Sequence, residues 1–201
     1  MRIIFILVII SSALITAKQE DIDNISNNIE VKSELTISDK ILKGARIDVS
    51  NKPIYRSKYY SGGYPPKDEG VCTDVIWRAL KEIDYNLKDK IDEDIKNNIK
   101  EYPRVAGRQD KNIDFRRVPN LIVYFRRNEK ELNLNISEFE PGDIVTFTGG
   151  VDHIAIISDK KNRDGVPYLI HNDGPYTEEE DMLETWNDFS KLSHRFRIVT
   201  N

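Results

Sequence analysis

The stretch Glu140-Pro141-Gly142-Asp143-Ile144-Val145-Thr146-Phe147-Thr148-Gly149-Gly150-Val151-Asp152-His153-Ile154-Ala155-Ile156-Ile157-Ser158 is where the chain stops reading as helix and starts reading as sheet. Pro141-Gly142 breaks what precedes it. Asp143–Phe147 and His153–Ser158 are then short runs rich in β-branched and apolar residues, separated by the Thr148-Gly149-Gly150 loop, which is the pattern of two buried strands. A third run, Val166-Pro167-Tyr168-Leu169-Ile170-His171-Asn172, follows a turn around Asn162-Arg163-Asp164-Gly165; its proline suits a strand start or an edge. Arg195–Val199 supplies a terminal strand, after the acidic segment Glu178–Asp181 and an apolar patch around Leu183 and Trp186.

If the second and third strands pair as a hairpin symmetric about their loop, Ser158 lies opposite Val166 and His153 falls directly opposite His171. Directly opposed residues on one face have Cβ atoms about 4.5 to 5.5 Å apart, so the two imidazoles touch. A single bulge would break this register. Two of the three histidines thus share one end of one hairpin. His194 has no partner in the scheme and is assigned to surface or core.

Upstream the periodicity is helical. Ser38-Asp39 reads as a helix start, with Ile41, Leu42 and Ala45 facing inward. A tyrosine-rich loop dense in chain breakers, Tyr55 to Pro66, leads into Gly70-Val71-Cys72-Thr73-Asp74-Val75-Ile76-Trp77-Arg78-Ala79-Leu80. Val71, Val75, Ala79 and Leu80 there recur at helical spacing, while Arg78 is expected to stay wet. Leu87, Ile91, Ile95 and Ile99 mark a further helix that ends at Tyr102-Pro103, residues 104–117 read as a loop, and Pro119 opens a helix with Val118, Leu121, Ile122 and Phe125 inward. Helices first and antiparallel strands after make an α+β domain over residues 38–201.

Before that domain, Arg2 and the apolar run Ile3–Ile15 have the order of a secretory leader, expected to cover residues 1–17 and to be removed after Ala17. The run is shorter than the ~20 residues a spanning helix needs; an uncleaved anchor is the alternative. Residues 18–37 read as a linker or weak helix. The expected location is therefore secreted, periplasmic or cell envelope, with no membrane contact once the leader is gone. A formal net charge of −4 with both signs interspersed carries no nucleic-acid footprint.

Export gives the single cysteine its meaning. Secreted domains that use cysteine for stability carry an even number, and one alone cannot close an internal disulfide. Cys72 sits at the first turn of its helix, where unpaired N–H groups and the helix dipole favour thiolate and lower the pKa from about 8.5; the bland alternative is a buried small hydrophobe. A thiol nucleophile needs a base, and the base needs a third group to fix its tautomer. Cys72, His153 and His171 fill those roles in order. Around them, Tyr64 is a candidate hydroxyl donor and Arg116-Arg117, beside Asp114, a fork for a substrate carboxylate, against the plainer alternatives of a loop anchor and surface salt bridges. Asp74 is a candidate for substrate contact, for the helix dipole, or for an ion pair with Arg116 or Arg117.

At these residues the sequence resembles the NlpC-type cell-wall peptidases, a papain-like superfamily. The likeness lies in the cysteine opening a helix (Gly70-Val71-Cys72-Thr73-Asp74), the strand start Pro141-Gly142-Asp143-Ile144-Val145, the strand Asp152-His153-Ile154-Ala155-Ile156 and a third polar residue at His171. It is most similar to an uncharacterised bacterial branch, through Gly63-Tyr64-Pro65-Pro66, Asn112-Ile113-Asp114-Phe115-Arg116-Arg117-Val118-Pro119-Asn120-Leu121 and Ile170-His171-Asn172 as well. The resemblance implies a papain-like α+β fold with N-terminal helices packed on an antiparallel sheet. It also implies hydrolysis of amide bonds in peptidoglycan stem peptides outside the cytoplasmic membrane; the expected enzyme is a monomer with no cofactor and no metal. The better-known members usually have Asp before the cysteine and Ser-Gly after it, where this chain has Val71 and Thr73-Asp74. Two rivals stand beside it: a zinc-binding hydrolase using Cys72, His153 and His171 with Asp74 or Asp152, and a catalytically silent wall-binding module of the same fold. A transferase would share the thioester and differ only in the acceptor.

Overall fold

A computed structural model describes residues 35–199; the leader and most of the 18–37 segment lie outside the described residues. The first helix, α1 (Ile37–Asn51), begins one residue before the expected Ser38-Asp39 start because Thr36 caps it. The Asp39 N–H donates to Thr36 Oγ1 (3.1 Å) while the Thr36 N–H donates to Asp39 Oδ2 (3.0 Å), a reciprocal box that satisfies two otherwise orphaned donors. A parallel two-stranded ribbon follows, β1 (Ile54–Tyr55) against β2 (Glu69–Gly70). It delivers the chain to α2 (Cys72–Leu80), and α3 (Leu87–Asn98) and α4 (Val118–Asn128) complete the helical half.

Both α2 and α1 press on each other closely: a Cβ at Gly44 would lie 2.7 Å from the Ala79 carbonyl oxygen. On α2, Val75, Ile76, Ala79 and Leu80 are fully buried, and each large apolar side chain taken out of water contributes about 1.5 to 3 kcal/mol. Arg78 is not wet. Its guanidinium pairs with the buried Asp48 (Nη1 to Oδ1, 2.9 Å) and donates to the Glu69 carbonyl (2.7 Å), because β2 and α1 close over the side that amphipathicity alone marks as solvent.

The strand half is one antiparallel sheet of six strands in the order β3-β8-β4-β5-β6-β7, with β3 (Lys130–Leu132), β4 (Ile144–Thr148), β5 (His153–Lys161), β6 (Pro167–Asn172), β7 (Thr177–Glu180) and β8 (Lys191–Arg197). The α+β class is as the sequence reads. One face, with Ile144, Ile154, Ile156, Ile170 and Phe196, meets the helices. The other, with Val145, Phe147, Ala155, Ile157 and Leu169, meets Leu183 and Trp186 of a short helix, α5 (Leu183–Phe189). Burial on both faces explains why the central runs are continuously apolar rather than alternating. The acidic segment at 178–181 proves to lie mostly in β7, which begins at Thr177 and ends at Glu180. Thr177 is buried there between Asp48 and Asn172 (2.9 and 3.1 Å), and Glu179 takes Arg46 Nη2 (2.7 Å), Lys160 Nζ (2.7 Å) and the Ser158 hydroxyl (2.6 Å).

The hairpin register departs from the symmetric expectation. Ile156 pairs with Ile170 and Ile157 with Leu169, whereas Lys161 pairs with Pro167 across an irregularity; β5 runs on to Lys161 instead of ending at Ser158. Ala155, and not His153, is therefore the residue level with His171. The slip is two residues, an even number, and side chains alternate with a period of two, so both histidines stay on one face.

The start of α2 is fixed by one carboxylate. Asp74, fully buried, accepts from the Val71 N–H (2.8 Å), Trp77 Nε1 (2.8 Å) and a fork from Arg116, Nε to Oδ1 and Nη2 to Oδ2, both at 2.8 Å. Arg116 is itself buried at the turn Asp114–Arg116. Removing one partner from such a pair leaves the other charge unpaired in the interior, at a cost of about 3 to 5 kcal/mol. Asp74→Ala is expected to lose stability by that amount in urea unfolding; a loss under about 1 kcal/mol would contradict the role given to this carboxylate.

Candidate functional site

Cys72 is the first residue of α2, half-buried, and carries the one thiol of the chain. It lines an open cleft of about 550 Å³ together with Tyr55, Arg104, Arg117 and Asp152. Burial pushes the thiol up to about 12, against the lowering effect of the Ile154 and Thr73 backbone N–H groups that point at the sulfur; Asp74 and Asp173 add to the rise. The expectation of a depressed thiol is thus reversed. Desolvation outweighs the helix terminus, whose charge is partly cancelled by the carboxylate bound within its own first turn.

The Ile154 N–H belongs to the second residue of β5, and the first is His153. That imidazole is 3% exposed. It lies flat against Trp186 (ring centroids 3.9 Å apart, planes at 6°) and beside Phe147. Its Nε2 is 2.9 Å from Nδ1 of His171, so the contact expected from direct opposition is made by a diagonal pair. Burial first, and then the neighbouring His171, hold His153 well below its ordinary 6.5. With Nε2 engaged by His171, Nδ1 is the ring nitrogen left for a thiol. The His153 ring stands on the α5 face of the sheet and α2 packs on the other, so the contact the sulfur makes with β5 is to the Ile154 backbone N–H, one residue along from His153.

The four expected substrate contacts fare differently. Asp74 and Arg116 are tied to each other in the interior, and the remaining Arg116 nitrogen, Nη1, donates to the Lys58 carbonyl (2.9 Å); neither has a group to spare. Tyr64 packs at a tilt against Trp77 (4.7 Å) and edge-on against Phe115 (5.4 Å) and lines a separate groove with Lys81. Arg117 does line the Cys72 cleft, bonded to Asp114 (3.0 Å) and to the Arg104 carbonyl. Arg104, more exposed, stands at 4.0 Å from Asp152 on the same rim.

Sequence reading missed Asp173, Trp186 and Glu180, and named Tyr55 only among the loop tyrosines that are candidates for a substrate-facing wall. Tyr55 is set beside the cysteine by the pairing of Tyr55 with Gly70, which only the fold reveals. Burial, then Cys72 and Asp173, raise its phenol, leaving a neutral hydroxyl in the cleft. Asp173 accepts from Trp186 Nε1 (3.1 Å). The metal-donor group that the fold gathers is His171, Asp173 and Glu180, whose donor atoms lie within 4.8 Å of one another. Among the described residues Cys72 is not part of this group, and Asp74 is already bonded by Arg116. His194 bonds Glu131 (2.7 Å) near the far edge strand. Among the described residues no helix is long and apolar enough to cross a membrane.

Residues 42–196 match the family described as Domain of unknown function (DUF1287). A relative from Escherichia coli (strain K12), "Uncharacterized protein YijF", is 39% identical over 168 residues, which is 79% of this chain and 80% of that one.

The buried neutral His153 makes stability depend on pH. The unfolded chain takes up this proton near 6.5 and the folded chain well below it, so the unfolded state binds more protons between the two values. The contribution is complete above 6.5 and is lost as pH falls, with a slope of up to about 1.4 kcal/mol per pH unit. Urea unfolding between about pH 7.5 and 5 should show that slope, and His153→Gln should flatten it. An unchanged slope in the variant would contradict the assignment.

Proposed function

The chain belongs to the family described as Domain of unknown function (DUF1287), and from the geometry within that family domain we propose that it is a secreted, monomeric cysteine hydrolase of the papain-like, NlpC-type class. Its substrates are amide bonds of peptidoglycan stem peptides, reached outside the cytoplasmic membrane. The observation that carries this reading is the meeting, at one end of β5, of a helix-opening thiol with a backbone N–H next to a buried, His171-bonded imidazole. Three residues remote in sequence supply nucleophile, base and orienting group in that arrangement.

The thiol and the imidazole are both neutral at rest. The Cys72 sulfur attacks the amide carbonyl carbon as its proton passes to His153 Nδ1; the S–C bond forms and the carbonyl π pair moves to oxygen. The Cys72 backbone N–H, at a helix start where N–H groups have no intrahelical acceptor, holds that oxyanion. The Tyr55 hydroxyl lies in the same cleft to assist. His153 then gives its proton to the leaving amine as the C–N bond breaks, and afterwards takes one from water, whose oxygen attacks the thioester and frees the thiol. Arg117, bonded to Asp114, and Arg104, 4.0 Å from Asp152, bring two guanidinium groups to the rim, which suits a substrate bearing a free carboxylate beside the scissile amide.

Purified peptidoglycan digested with wild type and with Cys72→Ala, products separated and weighed, tests the reading. Wild type is expected to release new amino groups, and the variant to lose that activity by at least about 10³-fold. Equal release, or none from wild type, would contradict it and leave the silent wall-binding module. Arg117→Ala should raise KM about 10-fold with kcat nearly kept, as for a lost charge-assisted hydrogen bond in substrate binding; an unchanged KM would remove Arg117 from the substrate site.

A further inference from the structure

His171 is 1% exposed and its Nε2 has no aligned hydrogen-bond partner. The nearest anion to that nitrogen is Glu180 Oε1, at 3.3 Å. A buried ring N–H left unpaired costs about 1 to 3 kcal/mol, and a small turn of the half-exposed Glu180 side chain would align the two. The sheet sets up this approach: Glu178 pairs directly with His171 and Glu180 with Leu169, so Glu180 is a diagonal neighbour of His171 on the same face. Glu178 is exposed, and Glu179 points the other way, to Arg46 and Lys160. Contact with His171 holds the Glu180 carboxyl below its ordinary value.

Electrostatics gives the contact a purpose. When His153 takes the thiol proton it becomes a cation in a nearly sealed site, stacked on Trp186 and bonded only to a second imidazole. An unpaired buried charge of this kind is costly. The charged or titratable groups facing the two rings are Asp173, whose Oδ2 accepts from Trp186 Nε1 while its Oδ1 lies 3.9 Å from His171 Nδ1, beyond hydrogen-bond reach, the exposed Glu178, and Glu180, with Cys72 and Tyr55 at the neighbouring cleft. Glu180 is the carboxylate that stands 3.3 Å from the unpartnered ring nitrogen of His171.

We propose that Glu180 is a positioning residue: its carboxylate fixes His171 with the proton on Nε2, which makes His171 Nδ1 an acceptor and so fixes His153 with its proton on Nε2 and its lone pair on Nδ1. This rests on the reading of His153 as the base for Cys72. The line is then Cys72 S–H to His153 Nδ1, His153 Nε2–H to His171 Nδ1, and His171 Nε2–H to Glu180 Oε1. During attack one proton moves, from sulfur to His153 Nδ1; His171 keeps its proton on Nε2, Glu180 stays an ionised carboxylate, and the two stabilise the imidazolium through two hydrogen bonds. The opposite tautomer of His171 would force a proton onto His153 Nδ1 and leave nothing to accept from the thiol.

Nitrogen-15 spectra of the histidines in the resting protein test this without any turnover. Both rings should carry their proton on Nε2 in wild type, and Glu180→Gln should disturb that assignment. Wherever amide cleavage is measurable, Glu180→Gln should lower kcat/KM about 10- to 100-fold, less than the loss of a general base itself. Loss of the negative charge makes the imidazolium less stable, so the acid limb of the pH profile should move to lower pH. Glu180→Asp should restore part of both, and Glu178→Gln should change neither. His171 protonated on Nδ1 in wild type, or a Glu180→Gln variant with unchanged spectra and profile, would overturn the proposal. So would stoichiometric zinc shifting the His171 nitrogen, since His171, Asp173 and Glu180 would then be metal ligands. A wild type with the expected tautomers but no amide cleavage would sink the hydrolase reading while sustaining the tautomer assignment.

Discussion

A thiol can serve as nucleophile only where its carrier is held, and here the holding is done by a carboxylate that never meets solvent. Asp74 gathers the Val71 N–H, the Trp77 indole and the Arg116 fork at 2.8 Å each, which locks the chain into α2 at the residue where Cys72 begins it. Arg116 in turn carries the 58–60 segment, through the Lys58 carbonyl and the Tyr60 ring, and so brings one wall of the cleft to the helix that needs it. Gly70 belongs to the same arrangement: a Cβ there would stand 3.0 Å from the Arg78 guanidinium and 3.3 Å from Asp74 Cβ. Its value is close approach, since a side chain would push β2 away from α2.

Desolvation then sets the protonation states. Cys72 is held up and His153 held down by the same cause, burial, so both groups are uncharged at rest, and in the proposed mechanism charge separates only with substrate in place. Such a site is quiet toward stray electrophiles. It also needs any counter-charge for the imidazolium to arrive through hydrogen bonds, which is why the face carrying His153, His171 and Trp186 matters as much to the chemistry as the helix that carries sulfur.

The sequence already contains the outline of this molecule where contacts are local. The helical spacing at 72–80, 87–99 and 118–125 survives because the inner face of each helix does meet the core, and the central strands are legible because both their faces are buried. The histidine pair is legible for a subtler reason: the register slipped by two, and a period of two forgives even errors. What could not be read depends on partners far away in the chain. Arg78 looks solvated until Asp48 is seen beside it; Glu179 looks like one more residue of an acidic segment until Arg46 and Lys160 are seen to pair with it. Tyr55 is ordinary until a parallel bridge to Gly70 sets it at the cysteine. Helix position alone misjudged the thiol because it counts the dipole and omits burial.

The central claim is that the Cys72 sulfur becomes bonded to substrate carbon, and rapid acid quench of protein mixed with peptidoglycan fragments tests it most directly. Mass spectrometry of the proteolytic peptide containing Cys72 should show the added mass of the acyl part of the fragment, and that mass should disappear after treatment with hydroxylamine. An unmodified Cys72 peptide at every quench time, in a sample that is releasing new amino groups, would contradict the account.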